Sequence, residues 1–252
     1  MDLQLLDANI FAKKLKEWLQ DIAAKCHSYA LKNDVDFYVF QSAVPQKPNP
    51  DLLVIGINPG GHVSYAEAMK KQGKEKRSWQ DLSQGCNTYS RKPCWEKGER
   101  PTKGNDVMRK VLVGTHDYDG VQPNEKCIFF NEKLFTMLDH AVVMNMYYFN
   151  TAKESDLAKM CRDEELQYCK RKTLELIAML NPKNILLFTT SKTHLNLMGV
   201  KRIKPIGSFV QSGELAGKTV YAIPHPSGWP GFWNRENRIS TGEMLDKIFC
   251  NQ

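Results

Sequence analysis

Two short polar loops, each following an apolar run, contain the residues of this chain best placed to do chemistry. One run leads into Gly-Ile-Asn-Pro-Gly-Gly at 56–61, and another leads into Pro-His-Pro-Ser-Gly-Trp at 224–229. Each apolar run is typical of a buried strand. Because ligands of open α/β sheets bind beyond the carboxyl ends of the strands, we expect Asn58 and His225 to lie across one crevice.

The chemistry open to these two side chains is hydrolysis. Pro59 restricts the backbone around Asn58, so the carboxamide can orient a water molecule, although it cannot deprotonate one. A neutral imidazole at His225 can donate a hydrogen bond to an oxygen on which negative charge develops. Either loop alone is compatible with an ordinary turn. The combination of the two favours a catalytic site.

The two loops resemble the motifs of the uracil-DNA glycosylase superfamily, which are G-x-N-P-G or G-x-D-P and then H-P-S. The resemblance implies an α/β fold, a three-layer α/β/α sandwich with a central mostly parallel sheet, as a single domain over residues 1–252. It implies that Asn58 positions the hydrolytic water against the sugar C1′ and that His225 stabilises the departing base. The motif residues expected to contact the base are Gly56, Ile57, Pro59 and Gly60.

A third carboxamide, Asn145, follows the apolar run at 141–144. In the resembling families an Asn at the end of this middle strand binds the Watson–Crick edge of the flipped base. Its donor and acceptor match the O4/N3–H edge of uracil. A flipped amide also matches a cytosine-type edge, so the base stays open. The alternative role is a buried Asn whose polar atoms are satisfied by backbone.

The segment at about 61–104 has no strong period and is an expected insertion. Members of the resembling families place a stacking Phe or Tyr shortly after the first motif, where this chain has the long segment. Its aromatic residues are Tyr65, Trp79, Tyr89 and Trp95. The segment is either a mobile surface insertion or a lid whose aromatics stack on a base.

DNA contacts are expected after the second motif and after the third strand. Proteins that act on a base extrude it from the duplex, and apolar wedges fill the gap. The candidates in the loop and beyond are Ser227, Trp229, Phe232, Trp233, Arg235 and Arg238. One or more of the aromatics could instead pack in the core. Ser191 and Lys192 open a helix suited to a phosphate, although Ser191 is equally suited to be an N-cap.

Composition restricts the class of protein. The 252 residues have a net charge of +7, which favours an anionic partner such as DNA. No apolar run approaches the ~20 residues that span a bilayer, and the N-terminal residues do not show the pattern of a signal peptide, so we expect a cytoplasmic protein without a membrane partner. We also expect it to be a monomer. The seven cysteines lack a C-x-x-C pair and are expected to be reduced thiols, with no metal and no cofactor.

Alternating strand and helix patterns along the chain support the α/β class. Helices are expected over the first ~30 residues and over five later ranges: 106–113, 126–139, 155–180, a short one after Ser191, and 237–249. Strands are expected at 52–55, 141–144 and 184–188, with a hairpin formed by 206–211 and 219–223.

The sequence thus predicts a monofunctional DNA glycosylase that removes a uracil-like or otherwise modified pyrimidine and leaves an abasic site. One alternative keeps the chemistry and changes the base: a bulky modified cytosine of phage DNA, removed in defence. Another alternative is a catalytically silent DNA-binding homologue.

Overall fold

The computed structural model describes residues 3–61, 63–85, 132–151, 154–226 and 232–250. The chain divides into two compact units, each assembled from distant stretches of the sequence; that they form a single domain stays a prediction. The first unit comprises Met1–Pro50, Ile55–Cys86 and Val142–Lys183, and the second comprises Asp51–Val54, Asn87–Ala141 and Asn184–Gln252.

Six strands form a mixed, mostly parallel sheet in the order β2-β1-β3-β6-β5-β4. Leu186 of β3 lies opposite Tyr221 of β6 in a parallel pair, and β5 runs antiparallel to β4 and to β6. The strands are β1 (Leu52–Gly56), β2 (Val142–Asn145), β3 (Asn184–Leu187), β4 (Lys201–Pro205), β5 (Gln211–Leu215) and β6 (Lys218–Ala222). The predicted α/β class with a mostly parallel sheet is confirmed, and it is consistent with the α/β/α sandwich type.

The apolar runs that predict β1 and β2 are buried throughout. Every residue of Leu52–Gly56 and of Val142–Asn145 is buried. A strand with one face in water would alternate apolar and polar side chains, whereas a strand covered on both faces does not. The continuous runs therefore correspond to strands covered on both faces.

Seven α-helices lie in the described ranges: α1 (Leu3–Asn33), α2 (Tyr65–Gln72), α3 (Glu132–Asp139), α4 (Leu157–Met160), α5 (Asp163–Leu180), α6 (Lys192–Met198) and α7 (Arg235–Cys250). Short 3-10 turns occur at Trp79–Leu82 and Glu154–Asp156. The predicted first, short and last helices are confirmed by α1, α6 and α7. The helix predicted at 106–113 lies outside the described residues, as does the beginning of the one predicted at 126–139.

The helix α1 buries the face that its apolar spacing predicts. Leu15, Trp18 and Ile22 are each at most 6% exposed, whereas Ile10, in the same periodic series, is 46% exposed. The Trp18 indole Nε1 donates to the carbonyl of Lys172 in α5 at 3.2 Å, which fixes the two helices of the first unit against each other.

The single helix predicted over 155–180 is wrong, because the chain breaks between α4 and α5. Cys161 and Arg162 have extended backbone at the break. The Arg162 amide donates to Glu165 Oε2 at 2.9 Å, so a new helix is capped at Arg162 and begins at Asp163. This hydrogen bond from the Arg162 amide to the Glu165 carboxylate stabilises the start of α5.

The predicted hairpin is also wrong in its first strand. The structure pairs β5 with β6 across Ala216 and Gly217, which both have positive φ (52° and 76°), as a tight two-residue hairpin turn requires. The strand β4 was not predicted, because its residues are mostly exposed and show no apolar alternation.

The segment expected to be a long insertion contains a helix and a 3-10 turn between Val63 and Gly85. The helix α2 starts at the N-cap Ser64, whose Oγ accepts from the Glu67 amide at 3.2 Å. It ends at Gly73, whose left-handed backbone (φ 63°) forms a C-cap. Residues 86–104 of the predicted insertion lie outside the described residues.

The described helices include none that is both long and apolar enough to cross a bilayer. Cys26, Cys161, Cys169 and Cys250 are free thiols. Burial raises the pKa of Cys161 to about 12, so its reactive thiolate is scarce at neutral pH.

Candidate active site

The first motif and Asn145 are brought together in the first unit. The Met146 amide donates to the Gly56 carbonyl and the Tyr147 amide donates to the Ile57 carbonyl, both at 2.9 Å. The chain that leaves β2 therefore runs alongside the loop that leaves β1. Ile57 and Pro59 are buried in this loop and Gly60 is exposed.

Asn58 is half-buried, and its amide nitrogen is paired twice. Nδ2 donates to Thr151 Oγ1 at 2.8 Å and to the Pro59 carbonyl at 2.9 Å. The carboxamide oxygen is thereby the atom left to accept a hydrogen bond. That is the atom that a carboxamide needs in order to hold a water molecule by one of its hydrogens.

Two residues that sequence reasoning missed, Asn150 and Thr151, support this loop. Thr151 is fully buried and forms a parallel bridge with Gly60. In the orientation that satisfies its neighbours, the Asn150 amide donates to the Gly60 carbonyl at 2.7 Å and also to the Gly61 carbonyl. We call Asn150 and Thr151 the brace. No local sequence signal marks it, because its partners lie about ninety residues earlier in the chain.

Asn145, at the end of β2, is 1% exposed, and its Nδ2 has no hydrogen-bond partner among the described residues. The side chain lies against Gly56: a Cβ added there would be 2.6 Å from Asn145 Oδ1. A glycine is therefore needed at position 56, because any side chain there would collide with the Asn145 carboxamide. The expected alternative, in which backbone satisfies all the polar atoms of Asn145, does not hold for Nδ2.

We predict that Gly56→Ala lowers the free energy of unfolding by ~1–3 kcal/mol, because the added methyl overlaps the Asn145 carboxamide. Urea denaturation measures this directly. Gly60→Ala is the matched control: a Cβ there meets nothing within 4 Å, so we expect a change within ~0.5 kcal/mol. Equal stability of the two variants would show that Asn145 moves aside without cost.

His225 lies in the second unit, three residues after β6 ends. Its carbonyl accepts a hydrogen bond from the Trp233 indole Nε1 at 3.1 Å, and its ring meets Phe188 edge-on, with 5.9 Å between ring centroids. The residue is exposed, yet the surrounding protein desolvates the imidazole and lowers its pKa below the usual 6.5. The ring is therefore neutral at neutral pH, as the proposed hydrogen-bond donor should be.

Tyr65 is placed in the core of the first unit. It is 1% exposed, and its hydroxyl is 2.8 Å from His27 Nδ1 and accepts from the Arg77 amide at 3.2 Å. This environment suits packing and leaves no free face for a base. Trp79 is half-buried with Lys16 Nζ 5.6 Å from its ring centroid. The candidates Tyr89 and Trp95 lie outside the described residues.

Among the candidate residues around the second motif, some are buried, some are half-buried and some lie outside the described residues. Trp233 is 7% exposed, so it is one of the aromatics that packs in the core. Phe232 is half-buried and meets Phe209 edge-on at 5.0 Å. Ser227 and Trp229 lie outside the described residues. Arg235 and Arg238 lie in the first turn of α7, and their side chains are also outside the description.

Ser191 is the N-cap of α6, and its Oγ accepts from the His194 amide at 3.4 Å. Of the two roles expected for Ser191, the structure therefore shows that of an N-cap. Lys192, the next residue, is exposed and accessible to a partner.

Across the part of the chain that the structure describes, no cluster of His, Cys, Asp or Glu side chains suits a metal ion. A scan against protein-family models and a search of curated proteins each returned no match. The function must therefore be inferred from the residues of the site.

Proposed function

We propose that this protein is a monofunctional DNA glycosylase, which hydrolyses the bond between a pyrimidine-type base and its sugar after the base leaves the helix. DNA is then its partner, and we propose a cytoplasmic monomer as the active form. Support comes from the resemblance of the two motifs, from the net charge of +7 and, above all, from Asn145.

The buried, unpartnered amide nitrogen of Asn145 is the observation that carries the proposal. A buried donor without a partner costs ~1–3 kcal/mol, and such groups in folded proteins call for a specific explanation. The partner that Nδ2 lacks is an acceptor. Uracil supplies one at O4 and a cytosine-type base supplies one at N3, so a pyrimidine edge that displaces the residues covering Nδ2 would satisfy the amide.

The reaction follows from the chemistry of three side chains. The bond between sugar C1′ and the base nitrogen breaks first, and the electron pair leaves with the base. His225 donates a hydrogen bond to the base oxygen on which that charge gathers. Asn58 holds the water whose oxygen then bonds to C1′, and the water's proton is lost to solvent or to the base. Asn145 binds the edge of the base throughout.

Base release from a panel of duplexes tests this proposal. The panel contains uracil, hydroxymethyluracil and glucosylated hydroxymethylcytosine, and alkali-labile sites mark release. Release from uracil or hydroxymethyluracil supports the main proposal. Release from the glucosylated base alone supports the defence alternative. Binding without release from any of them identifies a silent DNA-binding homologue.

DNA binding should weaken at least ~tenfold when salt rises from ~50 to ~200 mM, since each phosphate contact releases counterions. The net charge of +7 motivates this prediction. Fluorescence anisotropy with a labelled duplex measures it, and an uncharged oligomer of the same length is the control. An affinity that is independent of salt would remove DNA as the partner.

A further inference from the structure

The orientation of the Asn58 carboxamide is determined by its two neighbours. The Pro59 carbonyl has only lone pairs to offer, so it accepts from Nδ2 at 2.9 Å and would repel the carboxamide oxygen in the flipped orientation. A hydroxyl can either donate or accept. Thr151 Oγ1 accepts here, at 2.8 Å, and supplies the second contact on the same nitrogen.

The Thr151 hydroxyl is itself held in place. Thr151 is 0% exposed and its backbone bridges that of Gly60. Its neighbour Asn150 is 6% exposed, donates through its amide side chain to the Gly60 carbonyl at 2.7 Å, and donates through its backbone amide to the Asp36 carbonyl at 2.8 Å. The brace is thus attached both to the motif loop and to the segment after α1.

We propose that Thr151 is a positioning residue of this site: its hydroxyl accepts from the Asn58 amide nitrogen and, together with the Pro59 carbonyl, holds the carboxamide so that its oxygen faces the reacting water. The inference rests on the proposed function for what Asn58 does. Its geometric part, that the Thr151 hydroxyl holds the Asn58 amide nitrogen in place, is independent of the reaction.

Thr151→Val removes the acceptor and keeps the shape of the side chain. We expect single-turnover base release at saturating enzyme to fall ~tenfold, the equivalent of one hydrogen bond, with DNA affinity unchanged. Thr151→Ser keeps the hydroxyl and should release base within ~threefold of the wild type. Equal losses in the two variants would overturn the inference, because a packing defect would then explain both.

A double-mutant cycle shows whether Thr151 acts through Asn58. In an Asn58→Ala background, Thr151→Val should produce no further loss of rate. A full additional tenfold loss would overturn the inference, since the two residues would then act separately.

Nuclear magnetic resonance gives a readout that does not depend on catalysis. The Asn58 side-chain NH₂ signals are identified by their disappearance in Asn58→Ala. In Thr151→Val they should shift and exchange faster with water, and in Thr151→Ser they should keep their positions. Unchanged signals in Thr151→Val overturn the inference. If the wild type releases no base while these signals change as expected, the proposed function fails and the positioning role stands. If Thr151→Val does not fold, Thr151→Ala replaces it in every arm.

Discussion

Asn58→Ala should slow single-turnover base release by ~30- to ~1,000-fold while leaving the affinity for DNA nearly unchanged. In the proposed mechanism the carboxamide holds the water rather than the DNA backbone, so its removal should affect the transition state more than binding. Asn58→Ala also removes the two hydrogen bonds of Nδ2, so the free energy of unfolding should fall by ~1–2 kcal/mol. Rapid-quench measurement of base release, with anisotropy for binding, gives both quantities.

The control for Asn58→Ala removes a carboxamide elsewhere in the same unit. Gln20 is exposed on α1, and Gln20→Ala should release base at the wild-type rate. A wild-type rate in a folded, DNA-binding Asn58→Ala variant would make the first motif an ordinary turn.

Arg77→Leu should lower the free energy of unfolding by ~3–5 kcal/mol, because it leaves a buried carboxylate without its partner. The Arg77 guanidinium binds Asp36 through two bonds, Nε to Oδ1 at 2.7 Å and Nη2 to Oδ2 at 2.6 Å. The two side chains are only 9% and 7% exposed. The pair fixes the segment that contains α2 to the strand-like segment after α1. Urea denaturation followed by circular dichroism measures the loss.

Two further variants test whether the loss of stability comes from the buried ion pair or from the loss of any charged side chain. Lys74 makes an exposed ion pair with Asp81 and is itself 42% exposed, so Lys74→Leu should cost at most ~1 kcal/mol. The double variant Asp36→Leu with Arg77→Leu should recover much of the lost stability, because no unpaired charge remains. Equal costs for Arg77→Leu and Lys74→Leu would contradict the account of the pair.

Local patterns predict the parts of this fold that depend on neighbours in sequence. The apolar run before Gly56 predicts a buried strand, and the spacing of Leu15, Trp18 and Ile22 predicts the buried face of α1. The helix α2 also had a local signal: Ser64 with Glu67 three residues later matches a capping pattern. The polar composition around it obscured that signal.

The rest depends on contacts between distant residues, which no local pattern reports. The brace meets the first motif about ninety residues away. Tyr65 is buried by packing against Phe37, with 5.8 Å between ring centroids, and by its bond to His27. The polar residues around Tyr65 in the sequence therefore suggest an exposed side chain, and only its tertiary contacts show that it is buried.

The sequence predicts the candidate polar side chains of the site, because their residue types and positions after apolar strands indicate a possible chemistry. The sequence marks Asn58, His225 and Asn145 as candidates because each polar side chain lies at or after the end of an apolar strand. It did not identify Gly56 as the residue that makes room for Asn145, since only the 2.6 Å approach reveals this requirement. Nor did it identify which half of the Asn58 amide points away from its partners.

The central claim is that the protein cleaves the bond between base and sugar, and the most direct measurement is the free base itself. Wild-type protein is incubated with each duplex of the panel, and released base is quantified by mass spectrometry beside the abasic sites formed. We predict free base and abasic sites in equal amounts from one of the substrates, with release at least ~30-fold slower in His225→Ala. No free base from any substrate, or release at the same rate in folded, DNA-binding His225→Ala, would contradict the account.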